Sequence, residues 1–299
     1  MKQIIYRVIY HPTINLIIRK INKFILPFIP YKIKIPPSGL IKINCDEGKI
    51  LKIKTNQTSY LTQLIFWEGY QNFEYTDIFK KLIKKIDVFY DIGSNIGYYS
   101  LLASVENPKI EVVAFEPASG PLYYLKENVS INNFKNIKIE NIALSQKNGS
   151  IDFFEVRNKK YSYLKYNLAG EGNAGSKTVG RNFSIINVQT STFNNYVLDN
   201  KIKKIDLVKM DTEGTENLIL MHANLILKNM KPIFICETLY NTIESELESI
   251  FIKYGYDFYN HTEKGLVKVT SIIRKNDDGV RNCFFVHPSK YEMIERFVV

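Results

Sequence analysis

Cysteine is scarce in this chain. Cys45, Cys236 and Cys283 are the only three among 299 residues, and none stands at C-x-x-C spacing. That excludes a cysteine-rich zinc site and a disulfide framework, and it suits a reducing cytosol. No run of 18 uncharged apolar residues occurs, so no membrane-spanning helix is expected. Charges interrupt the first apolar stretch and no small-residue cleavage site follows, which argues against a secretory signal. Acidic residues are missing from positions 1–45, where eight bases stand: Lys2, Arg7, Arg19, Lys20, Lys23, Lys32, Lys34 and Lys42. These make up +8 of a formal net charge of +10. What remains is ordinary for a soluble globular chain, with 45% apolar and 23% charged residues.

The most informative stretch is Asp91-Ile92-Gly93-Ser94-Asn95-Ile96-Gly97. It follows the apolar run Val88-Phe89-Tyr90 and precedes a helix-compatible segment from Tyr98 to Val105. A strand that ends in an acid, turns through two glycines and opens a helix suggests a nucleotide-type ligand. Gly93 permits a tight turn, Gly97 permits a close approach to the helix, and the free N–H groups of the helix start face an anionic group. The third glycine of G-x-G-x-x-G is missing from this loop. G-x-x-x-G with an acid two residues ahead favours S-adenosylmethionine over NAD. The apolar run Val112 to Phe115 reads as the next strand and ends at Glu116-Pro117, 19 residues past Gly97. That is near the spacing at which an acid reaches a ribose.

Further motifs make the chain recognisable. Ala114-Phe115-Glu116-Pro117, Asn141-Ile142-Ala143-Leu144 and above all Lys209-Met210-Asp211-Thr212-Glu213-Gly214-Thr215-Glu216 resemble the FkbM family of S-adenosylmethionine-dependent methyltransferases. The resemblance runs from about residue 40 to the C-terminus. It implies an α/β, Rossmann-like class I methyltransferase fold, with a seven-stranded, mostly parallel sheet and helices on both faces. It also implies methylation of hydroxyl groups on sugars or natural products, and adenine contacts near Asn141 and Ala143. The expected cofactor-binding set is therefore Asp91, Gly93, Ser94, Asn95, Gly97, Glu116, Asn141 and Ala143.

Two regions stand apart. Residues 1–37 form a basic amphipathic segment in which Ile14, Ile17, Ile18, Ile21, Phe24, Ile25 and Phe28 recur at helical spacing, with Arg19, Lys20 and Lys23 opposite. The favoured reading packs this helix on the core with its basic face in water. The alternative lays it on an anionic membrane surface. Residues 38–299 form the catalytic domain: a hairpin around Asp46-Glu47-Gly48 and a helix over 38–86, then a Rossmann-like core over 87–299. A loop inserted at about 157–182 carries Tyr161, Tyr163, Tyr166, Gly170, Gly172, Gly175 and Gly180 and suits an acceptor-binding lid.

The chemistry is expected at strand ends after Met210 and Cys236, where Asp211, Glu213 and Glu237 fall. Such carboxylates could take a proton from an acceptor hydroxyl, hold a divalent cation or grip sugar hydroxyls. Asp211 leads as the base, with Glu213 and Glu237 behind it and His261 and His287 as alternatives; no metal ligands are assigned. Glu216 is expected to support the site from the following helix, which is expected to run on through Leu218, Met221 and Leu225. The expected partners are a sugar, nucleotide-sugar or glycan acceptor in the cytoplasm, with the inner face of the membrane as a peripheral contact. An NAD-dependent oxidoreductase and a nucleic-acid methyltransferase or binding protein are the rivals. The first lacks the third glycine. The second fits the net charge, but that charge is concentrated at the N-terminus and no N-P-P-Y or D-P-P-Y motif occurs.

Overall fold

The computed structural model describes residues 2–28, 33–168, 173–174 and 183–299. Its N-terminal part comprises helices α1 (Lys2–Ile9) and α2 (Pro12–Ile25), a hairpin of β1 (Gly39–Asn44) and β2 (Ile50–Thr55), and helices α3 (Tyr60–Trp67) and α4 (Thr76–Ile83). There follow β3 (Val88–Ile92), α5 (Tyr98–Glu106), β4 (Glu111–Phe115), α6 (Ser119–Ile131) and β5 (Ile137–Glu140). Next come β6 (Ala143–Leu144), β7 (Gly149–Val156), β8 (Asn173–Ala174), β9 (Phe183–Ser191) and α7 (Phe193–Asp199). The chain closes with β10 (Leu207–Met210), α8 (Glu216–Leu220), β11 (Ile233–Glu237), α9 (Glu244–Lys253), β12 (Asp257–Thr262), β13 (Gly265–Val269), β14 (Asn282–Val286) and α10 (Tyr291–Ile294).

The main sheet runs in the order β13-β12-β14-β11-β10-β3-β4-β5. Strands β5, β4, β3, β10 and β11 are parallel, β14 is antiparallel to β11, and β12 is antiparallel to β14. Successive residues of its strands feed two separate cores. Phe89, Val112, Leu207 and Ile235 face one side, while Tyr90, Val113, Val208 and Phe234 face the other. Burial on both faces explains why these strands read as unbroken apolar runs. Chain order reverses between β3 and β10, so the ligand cleft of a doubly wound sheet is expected beyond their carboxyl ends.

The Rossmann-like architecture expected from the motifs is present with eight strands rather than seven. The addition is β13, which pairs antiparallel with β12 across a tight turn at Glu263 and Lys264. Helix α8 stops at Leu220, short of the longer helix that Met221 and Leu225 suggested; the chain turns and resumes as a π-helical turn, Ile226–Met230. Strands β7 and β9, on either side of the expected insertion, pair antiparallel in a second, four-stranded sheet with β6 and β8. Gly170, Gly172, Gly175 and Gly180 lie outside the described residues.

The hairpin forms at the expected turn, and side chains of α6 tie it to the main domain. Asn128 Oδ1 accepts from the Lys54 N–H (2.6 Å), and its Nδ2 donates to the carbonyls of Lys54 (3.3 Å) and Ile96 (3.0 Å). One turn later Asn132 does the same for Lys52, at 2.9 and 2.7 Å. Asn128 is fully buried, so Asn128→Ala leaves backbone groups without partners. We expect it to lower the unfolding free energy by about 1–3 kcal/mol, read from urea denaturation. An unchanged midpoint would show that water replaces these bonds.

The N-terminal segment is helical, but its orientation overturns the favoured reading. The residues of α2 buried against the domain are the polar Asn15, Arg19 and Asn22. Ile17, Ile21 and Phe24 are 54%, 54% and 76% exposed. The reason is local hydrogen bonding. Asn15 Oδ1 accepts from the Ser38 N–H (2.8 Å), Asn22 bonds both Ile33 O and Ile35 N–H, and the Arg19 guanidinium lies 4.8 Å from the centre of the Phe66 ring. Among the described residues the extended segment before β1 pairs with no strand, and these side chains bond its backbone instead. Among the described residues no helix is long and apolar enough to cross a membrane.

Candidate active site

Strand register brings the two signature motifs together. In the β3–β10 pair, Lys209 lies opposite Asp91, and the Asp211 N–H donates to Ile92 O at 3.1 Å. Gly93 follows with φ of 74°. A Cβ there would stand 2.0 Å from the carbonyl oxygen of Asp211, so glycine is required by the neighbouring strand end as well as by the turn. Gly97 (φ 88°) begins α5, and a Cβ there would come within 2.4 Å of Leu125 on α6. Its small size admits the neighbouring helix.

Beneath the loop lies a buried charge cluster. Lys209 Nζ donates to Gly93 O (3.1 Å) and Asp211 Oδ2 (3.3 Å) and stands 3.7 Å from Asp91 Oδ1. Burial opposes its charge, but the attraction of Asp211, Asp91 and Glu74 prevails and holds the ammonium above its usual range. Asp91 is fully buried and accepts from Ser100 Oγ at 2.6 Å. Burial raises its carboxyl despite Lys209. Asp91 thus serves as a counter-charge under the loop, and it does not line the cleft.

The cleft opens above these strand ends, with a volume of about 1020 Å³ that includes its open mouth. One wall carries Gly93, Asn95 and Glu116. Glu116 Oε2 accepts from the Asn95 N–H (2.7 Å) and Oε1 from the Ala118 N–H (2.8 Å). Burial nevertheless pushes this carboxyl up to about 7. Ile142, Ala143 and Leu144 supply an apolar side, and Asp211, Thr212 and Glu213 stand on another. The remaining wall comes from the second sheet and the chain after it, through Glu155, Arg157, Tyr166 and Asn167. Glu155 receives both the backbone N–H and the hydroxyl of Ser119, where α6 begins.

An acidic group surrounds Asp211. Glu237, the last residue of β11, is pushed up to about 8 by burial and by the negative charges of Asp211, Glu213 and Glu216. Glu74 accepts from Tyr99 Oη at 2.9 Å, and burial, then the charge of Asp211, raises its carboxyl too. Glu216 accepts from the N–H (2.6 Å) and the hydroxyl (2.9 Å) of Thr212, which fixes the loop after β10 in the supporting role expected of it. Among the described residues no three His, Cys, Asp or Glu side chains come together as a metal-ligating group.

Of the expected residues, Gly93, Asn95, Glu116, Ala143, Asp211 and Glu213 line the cleft. Ser94 turns its hydroxyl to Phe115 O (3.2 Å), Gly97 sits behind the loop, and Asn141 is exposed outside the cleft. Glu237 lies outside the lining, beside Asp211 in charge. His261 packs edge-on to Tyr75 and His287 bonds Ser289, and neither lines the cleft. Of the expected lid tyrosines, Tyr166 lines the cleft, stacked on Tyr123. Tyr161 instead packs against Tyr6 and Tyr10, and the Tyr163 hydroxyl accepts from Gln57. Sequence reasoning gave Lys209 no role, although its place two residues before Asp211 on one strand was the available signal. Glu74 carried no signal.

The Methyltransferase FkbM domain matches residues 91–258, more than half of the chain. A curated relative, the 31-O-demethyl-FK506 methyltransferase FkbM of Streptomyces tacrolimicus, is 48% identical over 42 residues. The match spans 14% of this chain and only 16% of that relative's length. Among solved structures, the precorrin-6y C5,15-methyltransferase of Geobacter metallireducens GS-15 aligns over 82% of this chain and 97% of its own, at 11% identity and a TM-score of 0.43. The methyltransferase FkbM of Methylobacillus flagellatus KT aligns over 67% of this chain and 43% of its own, at 14% identity and a TM-score of 0.41. With its glycine loop, Glu116 and Asp211 all inside the matched span, the chain belongs to the FkbM methyltransferase domain family.

Proposed function

We propose that the protein is an S-adenosylmethionine-dependent O-methyltransferase that acts on a hydroxyl of a sugar, nucleotide-sugar or glycan. Its setting is the cytoplasm, at the inner face of the membrane. The observation that carries this reading is one cleft with Glu116 on one wall and Asp211 on another, at the point where strand order reverses. The cleft is of a size that suits a small-molecule ligand. Each oxygen of Glu116 accepts one backbone N–H and keeps a further lone pair for a ribose hydroxyl. Ile142, Ala143 and Leu144 suit the flat faces of a base.

Bound S-adenosylmethionine supplies an activated sulfonium methyl group. The chain's own residues then have modest tasks. Asp211 takes the proton of the acceptor hydroxyl, with Glu213 and Glu237 behind it in that role. Lys209 fixes the carboxylate of Asp211. Thr212, held by Glu216, keeps the loop after β10 in place, and Tyr166 gives an acceptor ring a face to stack on. Positioning of this kind supplies much of the rate in group transfer.

Titration calorimetry of the full-length protein with S-adenosylmethionine, NAD and a short DNA duplex tests the reading. Heat with S-adenosylmethionine alone supports it, and binding of NAD or duplex in its place refutes it. The pH dependence is a sharper check. Ribose hydroxyls donating to Glu116 favour its charged form, so binding releases a proton from a carboxyl that rests near 7. Affinity therefore rises by about tenfold between pH 6 and 8. Glu116→Gln binds more weakly and loses that slope. A flat wild-type profile, or a Gln variant that retains the slope, removes Glu116 from the contact.

A further inference from the structure

We infer that α1 and α2 form a docking surface for an anionic lipid bilayer. This deepens the membrane setting of the reading above and rests on residues outside the cleft. The key feature is the inverted burial of α2. Asn15, Arg19 and Asn22, at i, i+4 and i+7, form the stripe that faces the domain. Ile14, Ile17, Ile21, Phe24 and Ile25 occupy an arc that points away from it, all of them exposed. On α1, Ile4, Ile5 and Val8 are exposed likewise, while Tyr6 on its other side packs on Tyr161. Burial of its own apolar side is what normally stabilises an amphipathic helix. Here that side is left for an external phase.

Charge identifies the phase. Residues 1–45 hold eight bases and no acid; on α2, Lys20 borders one edge of the exposed apolar arc, and Lys23 lies farther round on that same side. An apolar arc with lysines beside it lies in the interface of an anionic bilayer, with the lysine stems reaching outward to the headgroups. A second copy of this chain would bring another set of positive charges against the first, which disfavours a symmetric dimer through this face. The geometry also gives docking a consequence for the site. Helix α1 contacts the segment that leads into the cleft wall, through Gln3 Nε2 to Lys159 O (3.2 Å) and Arg7 over the Tyr163 ring (5.4 Å). Docking therefore holds the wall that bears Lys165 and Tyr166 close to the membrane surface.

The test is co-sedimentation of the full-length protein with vesicles of phosphatidylcholine alone or with about one third phosphatidylglycerol. Binding is expected to the anionic vesicles only, and it should weaken as salt rises. Lys20→Gln with Lys23→Gln should weaken it by about 30-fold. Ile17→Asn with Phe24→Asn should abolish it while leaving unfolding and S-adenosylmethionine affinity unchanged, since both side chains are exposed. Wild-type protein that stays in the supernatant at low salt overturns the proposal. So does an Ile17, Phe24 variant that still pellets. A concentration-dependent dimer in light scattering that this variant loses would assign the face to a second copy instead. Loss of vesicle binding with cofactor binding intact leaves the methyl-transfer reading standing.

Discussion

Asp211→Asn is expected to lower turnover by about a hundred- to ten-thousand-fold while leaving S-adenosylmethionine affinity within a few-fold of wild type. Asn keeps the size and the hydrogen-bonding reach of the side chain, so the loop after β10 and its approach to Gly93 stay in place. What disappears is the group that can accept a proton and one of the three carboxylates that balance Lys209. The residue lines the cleft across from Glu116, so an acceptor held above it has a base at hand. Single-turnover assays with a hydroxyl acceptor, alongside calorimetry with the cofactor, separate the two effects. Undiminished turnover would move the task to Glu237, whose carboxyl at about 8 is itself suited to exchanging a proton near neutrality.

Among the described glycines, Gly93 is where an added methyl group meets the closest backbone contact, so Gly93→Ala should be strongly damaging. The new Cβ would stand 2.0 Å from Asp211 O and 2.9 Å from its carbonyl carbon, both backbone atoms that cannot swing aside. A φ of 74° adds the cost of a left-handed alanine. Together, conformational strain and overpacking come to about 2–5 kcal/mol of unfolding free energy. Because the clash pushes β3 and β10 apart where the cofactor is proposed to bind, S-adenosylmethionine affinity should fall with stability. Urea denaturation and calorimetry read both. A variant with wild-type stability would mean that the two strand ends do not approach as described.

The parts of the site that follow from one strand and its own turn were legible in the sequence. Gly93, Glu116 and Asp211 each stand directly after a strand, and position at a strand end alone marks them as facing a ligand. The pairing of Lys209 with Asp91 was not legible, because the two stand 118 residues apart and only strand register makes them neighbours. Glu74 was hidden for the same reason. Its partner Tyr99 lies in a helix on the other side of β3. The N-terminal helix exposes a different limit. Periodicity located its apolar arc, but it cannot say which arc faces the domain when buried asparagines find backbone partners. At Tyr161 and Tyr163 composition suggested a lid, whereas contacts with α1 and Gln57 use those rings for packing.

The amide pairing of Asn128 and Asn132 with β2 also bears on how the protein behaves in a crowded cell. A two-stranded hairpin offers unpaired backbone groups along its outer strands, a ready template for another chain's strand. On β2 those groups, at Lys52 and Lys54, are already occupied by side-chain amides that imitate a third strand. The β2 edge of the hairpin is thereby sealed against another chain's strand by the helix that follows Glu116.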